Sequence, residues 1–264
     1  MLTLIDLLLL TIIIQVIHFL GTWKLYKRAG REAWEAAIPI YNAIVLLKII
    51  NRPWWWIFLL FIPVINVIMF PVIWVETARS FGKNSTLDTF LSIFTLGFYN
   101  YYLNYLTTCQ YLGNRSIKAT TKTGEFVSSV IFAVVAATIV HTYVMQPFTI
   151  PTSSLEKSLL VGDFLFVSKF HYGARVPKTP ISFPMVHDSI PGVGIKSYSS
   201  SVELPLMRLP AITEIERNDI VVFNWPVDTV RMFGDNSGKY YHKPIDKKSN
   251  YVKRTVGVPG DSLE

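Results

Sequence analysis

Two residues of this 264-residue chain have the types and settings for covalent hydrolysis, Ser154 and Lys253. Ser154 lies in Ile150-Pro151-Thr152-Ser153-Ser154-Leu155-Glu156-Lys157-Ser158-Leu159-Leu160, a hydroxyl-rich turn that begins where a long apolar segment ends. A serine hydroxyl is a weak nucleophile until a neighbouring base takes its proton, and no His–Asp partnership is visible beside this serine. A lysine can serve instead if burial lowers its pKa from about 10.4 toward roughly 7 to 8, because a low-dielectric site disfavours the ammonium form. Lys253 lies in Tyr251-Val252-Lys253-Arg254, where Tyr251 and Lys253 share one face of an alternating strand and Val252 and Arg254 the other. Gly257-Val258-Pro259-Gly260-Asp261 gives a turn after that strand. The developing oxyanion has two candidate donors, the Ser154 N–H and the Thr152 hydroxyl.

The same residues admit other readings. Ser153 and Glu156 match a capping box, which makes the hydroxyl cluster a helix start. Ser154 and Lys157 form an S-x-x-K pattern, the nucleophile motif of penicillin-binding acyltransferases, and Lys122-Thr123-Gly124 supplies a K-T-G. That K-T-G precedes the serine instead of following it, and no S-D-N is present. His141 is either a proton relay within an apolar segment or a histidine facing a helix neighbour.

These residues must be held by the elements around them, and composition indicates which kind. The chain is 51% hydrophobic and only 16% charged, with a mean hydropathy of +0.36, so membrane spans are expected. The net charge of +7 falls largely beside apolar runs, which favours a topology signal over nucleic-acid binding. A single cysteine, Cys109, excludes an intrachain disulfide and a Cys-cluster metal site, and the five histidines show no ligand spacing. Four spans are predicted: Leu2 to Leu20, Trp54 to Trp74, Leu87 to Leu106 and Phe126 to Met145. Trp34 to Ile50, interrupted by Glu35, Pro39 and Asn42, reads as an interfacial or re-entrant helix. Up to Met145, Lys24 to Arg52 and Arg115 to Lys122 hold nine of the eleven Lys and Arg residues, which places those loops in the cytoplasm and both termini outside. From about residue 147 the composition changes. Val161 to Val167, Ile220 to Phe223 and Tyr251 to Val258 read as strands, Gly173 to Leu209 as irregular, and no internal repeat is evident.

Three blocks resemble bacterial signal peptidase I in order. Phe148-Thr149-Ile150-Pro151-Thr152-Ser153-Ser154 with Leu159 is similar to its nucleophile box, I-P-S-G-S-M-x-P-T-L. Gly162-Asp163 through Lys169 to Tyr172-Gly173 is similar to GDxxxVxKxxYG, and Tyr251 to Asp261 to the general-base box. Arg217-Asn218-Asp219-Ile220-Val221-Val222-Phe223 resembles the strand between them. The resemblance implies a membrane-bound Ser-Lys endopeptidase with Ser154 as nucleophile, Lys253 as general base and Thr152 as oxyanion donor. Phe148, Ile150 and Val252 would border shallow pockets for small residues before the cut, with substrate extended along an edge strand near residues 148 to 150. The implied fold is a multi-span α-helical membrane region followed by a mostly antiparallel β catalytic domain, incomplete at the C-terminus. Residues 1–125 form the multi-pass membrane domain, 126–145 the anchoring transmembrane helix, and 146–264 the partial catalytic domain with an insertion at about 174–216. Implied partners are preprotein signal peptides, the lipid bilayer and the protein-export machinery, with no nucleic acid, cofactor or metal. The implied location is the bacterial inner membrane, with the catalytic domain on the periplasmic side.

Ser153, Leu155 and Lys157 depart from the usual Gly, Met and Pro, and the first requires a backbone that a non-glycine residue can hold. The family's later box, G-D-N with a serine and D-S-R, does not follow Lys253, and Gly234-Asp235-Asn236 precedes it. The chain thus reads as truncated, and the expectation is that it is inactive as written. A non-enzymatic protein that only binds exported segments is the alternative. Residues 22 to 83 look like a small membrane domain sometimes fused to signal peptidases.

Overall fold

The structure is a computed structural model describing residues 4–113, 115–119, 121–230 and 238–262; Gly234-Asp235-Asn236 lies outside the described residues. The chain divides into two compact units, Met1–Ala133 and Val134–Glu264, with the boundary inside one helix.

The first unit is helical. Its apolar N-terminal run forms α1, Leu4–Arg28, long enough at 1.5 Å per residue to cross a bilayer. A second helix of that kind, α7, spans Lys122–Ile139 and continues through a π-helical turn at Val140–Val144. Among the described residues these two are the only helices long and apolar enough to cross.

The expected spans Trp54 to Trp74 and Leu87 to Leu106 are not single helices. The first is α3, Trp56–Phe61, and the start of α4, Ile65–Ser80, broken at Pro63 and Val64. The second is α5, Thr86–Phe94, and α6, Tyr99–Tyr105, broken at Leu96 and Gly97, both with positive φ. The segment read as re-entrant is a short 3-10 helix, Ala33–Ala36, followed by α2, Tyr41–Ile49.

Hydrogen bonds give the course of all three segments. Gln15, midway along α1, donates to Ala36 O and accepts from Asn42, while Tyr26 Oη donates to Asn42 O. Tyr111 Oη donates to Ile49 O, and Arg28 reaches Leu103 O, Cys109 Sγ and Thr107 O, so α2 and α6 end beside the C-terminal end of α1. Arg52, just before α3, pairs with Glu76 near the end of α4. Leu112 N–H donates to Ser80 O, which joins the end of α4 to the same group. Each segment is therefore a hairpin that leaves the C-terminal end of α1 and returns to it.

Two repeats become visible at the ends of these hairpins. Ile38-Pro39-Ile40-Tyr41-Asn42 and Ile62-Pro63-Val64-Ile65-Asn66 form the first two tips, with φ 67° at Ile40 and 72° at Val64. In both, the Asn N–H donates to the carbonyl of the leading Ile, at 2.9 and 3.0 Å. At the returning ends, Lys27 to Arg31, Lys48 to Arg52 and Arg79 to Lys83 share a cation-x-x-Gly/Asn-cation pattern. Each closes a helix by the same pair of bonds: Arg31 to Tyr26 O and Gly30 to Lys27 O, then Arg52 to Leu47 O and Asn51 to Lys48 O, then Lys83 to Ala78 O and Gly82 to Arg79 O. The Gly or Asn takes positive φ, which a six-to-one helix stop requires. The core is formed where these helices meet and includes Leu25, Tyr26, Val45, Leu47, Ile50 and Leu103.

The second unit is built on two antiparallel pairs. β1, Met145–Thr149, pairs with β2, Phe164–Ser168; β3, Ile220–Asn224, pairs with β4, Asn250–Arg254. β-branched and aromatic residues dominate β2 and β3, as a half-buried pleat favours. β4 is shorter than Tyr251 to Val258 because Thr255 is taken up by Asn218 and Asp219, and Asp261 N–H closes a turn onto Val258 O. The segment expected to be irregular is a long open hairpin, joined by single bridges at Arg175 and Arg208, Ser182 and Tyr198, and Ser189 and Lys196.

Candidate active site

Ser154 stands on an exposed run of bends and turns, residues 152 to 159, immediately after β1. This run is not a helix start: Glu156 N–H donates to the Ser153 backbone carbonyl, not to its side chain. Ser154 and Lys157 therefore do not face each other across a helical turn, as S-x-x-K would need. Ser153 takes no left-handed conformation; Lys157 does, at φ 76°, an angle closed to the proline that the resembled box carries there. Both sides of the turn are anchored. Ile150 exchanges bonds with Asp163 O and Gly162 N–H, and the Asp163 carboxylate accepts from Leu160 N–H at 2.8 Å.

Strand parity fixes which backbone groups remain available. Lys169 N–H donates to Val144 O and Ile150 N–H to Asp163 O, so even-numbered residues of β1 bond to β2. Odd-numbered residues then point to the open edge, where Pro147 removes a donor and Thr149 leaves its N–H and C=O. In β4 the bonds from Trp225 N–H to Ser249 O and from Thr255 N–H to Asp219 O give the opposite parity: Lys253 pairs with Val221, and Val252 faces the open edge. Phe148 is half-buried and Ile150 is buried on the same side of β1.

Lys253 is half-buried on β4. Among the described residues, neither its ammonium nor the side chain of Ser154 or Thr152 has a hydrogen-bond partner, and the Ser154 N–H is unpaired. The structure thus leaves the Ser154 and Thr152 hydroxyls and the Lys253 ammonium without partners and does not join Ser154 to Lys253. The one side-chain contact between a serine and a lysine among the described residues is elsewhere. Lys247 Nζ lies 2.6 Å from Ser182 Oγ, both buried beneath the open hairpin. Burial lowers the Lys247 pKa against the pull of Asp246 and Asp188. That pair is enclosed and offers no peptide access, so proximity alone does not identify a nucleophile.

Residues without an assigned role in the sequence hold the two sheets together. Arg254 donates to Ser158 Oγ at 2.8 Å, on the serine turn, and to Asn218 O at 2.7 Å, before β3. Tyr172 Oη donates to Asp219 at 2.7 Å. Arg217 and Asp261 form a two-pronged ion pair that fastens the approach to β3 to the turn after β4. All lie inside the matched blocks, so the signal was their presence there; their pairing across some 40 to 100 residues was not legible. Among the described residues, no group of three His, Cys, Asp or Glu side chains is placed to hold a metal.

Residues 123–264 match the family described as signal peptidase, peptidase S26, over more than half of the chain. The chain belongs to that family. Residues 34–114, the hairpin region, match a family of unknown function, DUF5684. Among relatives, signal peptidase I of Buchnera aphidicola subsp. Schizaphis graminum is 29% identical over 126 residues, covering 48% of this chain and 26% of the relative. Signal peptidase I of Rickettsia typhi is 29% identical over 156 residues, covering 57% and 44%. That of Pseudomonas fluorescens is 28% identical over 123 residues, covering 47% and 28%. The chain thus spans about a quarter to under a half of these relatives. No solved structure matches it.

Proposed function

We propose that this protein removes N-terminal signal peptides from exported preproteins, with Ser154 attacking the scissile carbonyl and Lys253 as general base. The Ser154 N–H and the Thr152 hydroxyl receive the oxyanion. The observation that carries this reading is the match of residues 123–264 to the peptidase S26 family, with the serine turn and the lysine strand both inside it. The open edge at Thr149 and that at Val252 suit an extended substrate, whose backbone would supply the missing ladder bonds. Phe148, Ile150 and Val252 then border the pockets that admit only small side chains.

The membrane arrangement belongs to the same proposal. α1 and α7 cross the bilayer, and the three hairpins enter from one side and return to it. The basic ends of α1, α2 and α4, with Arg115 and Lys118, then all lie in the cytoplasm, and both ends of the described chain lie outside. This places Arg79 and Lys83 with the other cations, where four alternating spans would put them on the far side. The catalytic part faces the outer side of a bacterial inner membrane, beside the export machinery that delivers its substrates.

The test is cleavage of a preprotein by the reconstituted full-length protein, extended to include the box that follows Lys253 in the resembled family, and its variants. Ser154→Ala and Lys253→Ala each lower the rate by at least about 100-fold, and Thr152→Val by about 100-fold with Thr152→Ser largely active. Processing by both single variants at the parental rate rules the reading out.

A further inference from the structure

The hairpin region holds an ion cluster whose charges do not balance. Glu76, near the end of α4, is 4% exposed and is met by three guanidinium groups. Arg52 donates to its Oε2 through Nε at 3.2 Å and Nη2 at 3.0 Å. Arg115 donates to the same oxygen, and through Nε to Ser80 Oγ at 3.0 Å. Arg79 is held loosely, at 3.5 Å from Oε1, with 40% of its side chain exposed. Three cations against one carboxylate leave a surplus of two positive charges.

The surroundings add to that surplus. Residues 21–125 carry eleven Lys and Arg against five Asp and Glu. The cation repeat brings six of these to the ends of three helices, more than the partial negative charge of about one half at each helix end can offset. Trp54 and Trp55 follow Arg52 and are 60% and 48% exposed, and the Trp56 ring lies 5.0 Å from the Arg52 guanidinium. Exposed tryptophans of this kind favour headgroup depth, where phosphate groups are dense.

We propose that Arg52, Arg79 and Arg115 form a site for a phosphate group on the cytoplasmic side, with Arg79 as the arm free to engage it. Planar guanidinium groups match a phosphate bidentately. The site rests on the re-entrant arrangement proposed above and is independent of the protease chemistry.

Native mass spectrometry of the full-length protein, released from micelles with equal phosphatidylglycerol and phosphatidylcholine, tests it. One retained phosphatidylglycerol is expected in preference to phosphatidylcholine, a preference reduced about fivefold in Arg79→Gln and largely kept in Arg79→Lys. Arg79 touches only the rim of the Glu76 network, so the glutamine variant keeps the Arg52 and Arg115 pairs. Displacement of the lipid by inorganic phosphate, with phosphate itself retained, supports the site and makes its source soluble; persistence of the lipid supports a headgroup source. Equal retention of both lipids, or equal losses from Arg79→Gln and from Lys48→Gln on the same face, overturns the proposal. The Ser154→Ala protein should retain the lipid as the parent does, so failure of the protease reading leaves this result unchanged.

Discussion

Arg254 shows what a motif conceals at the scale of one residue. The sequence presents it as the neighbour of Lys253, on the opposite strand face; in the structure it links the strand of the proposed base to the turn of the proposed nucleophile through Ser158. Because the guanidinium is exposed, each bond is worth only about 1 kcal/mol, so its effect should be on alignment. Arg254→Ala and Ser158→Ala are each expected to lower kcat about 10-fold with little change in KM. The double variant should lose no more than Arg254→Ala alone, since removing the guanidinium already removes the contact with Ser158. Additive losses in a cleavage assay would separate the two residues. Ser154, Thr152 and Lys253 are proposed from local spacing, which a single sequence displays. Ser158 and Arg254, 96 positions apart, carry no local mark of their pairing.

At the scale of elements, β4 is positioned from its N-terminal end by Asp228. The carboxylate accepts from Ser249 N–H and Oγ, both at 2.7 Å, and from Val230 N–H. Burial pushes its pKa up, but the Ser249 and Val230 bonds and the nearby Lys243 outweigh burial and hold it below the usual carboxylate range. A carboxyl with a depressed folded value stabilises above its unfolded value, near pH 4, and that contribution is lost as pH falls below it. Amide exchange at residues 249 to 254, corrected for intrinsic rates, should therefore lose protection between about pH 5 and pH 3. Asp228→Asn should start less protected and show little of that pH dependence, and Asp228→Ala should cost about 3 kcal/mol by stranding three donors. The hairpins offer a parallel case. Gly97 turns α5 into α6 at φ 83°, and a Cβ there would lie 2.6 Å from the Trp74 ring. Gly97→Ala should lower the thermal midpoint of the helical unit at a cost of about 2 kcal/mol or more, whereas Gly30→Ala, with open space around it, meets only the backbone strain. The positions of these helices were readable from apolar runs; their breaks at Pro63 and Leu96 were read through, because a 20-residue hydropathy window is blind to a reversal.

For the whole molecule, the difference between four spans and two is one of side. In a Cys109→Ser background, Lys83→Cys should react with an impermeant maleimide only from the face that also exposes Lys118→Cys. Labelling of the two from opposite faces would restore the alternating arrangement. The sequence alone indicated apolar segments long enough to cross a membrane and a signal-peptidase signature in the C-terminal half, because hydropathy and motif spacing are local properties. The charge pattern also gave an expected side for Lys24 to Arg52 and Arg115 to Lys122, which the proposed re-entrant arrangement keeps and extends to Arg79 and Lys83. The paired strand edges, the helix-end repeats and the surplus charge around Glu76 were decided by tertiary structure. Each depends on groups far apart in sequence whose bonds form only once the chain has turned back on itself. The serine turn belongs to both levels: its residue types were set by sequence, and its anchoring through Arg254 by the fold.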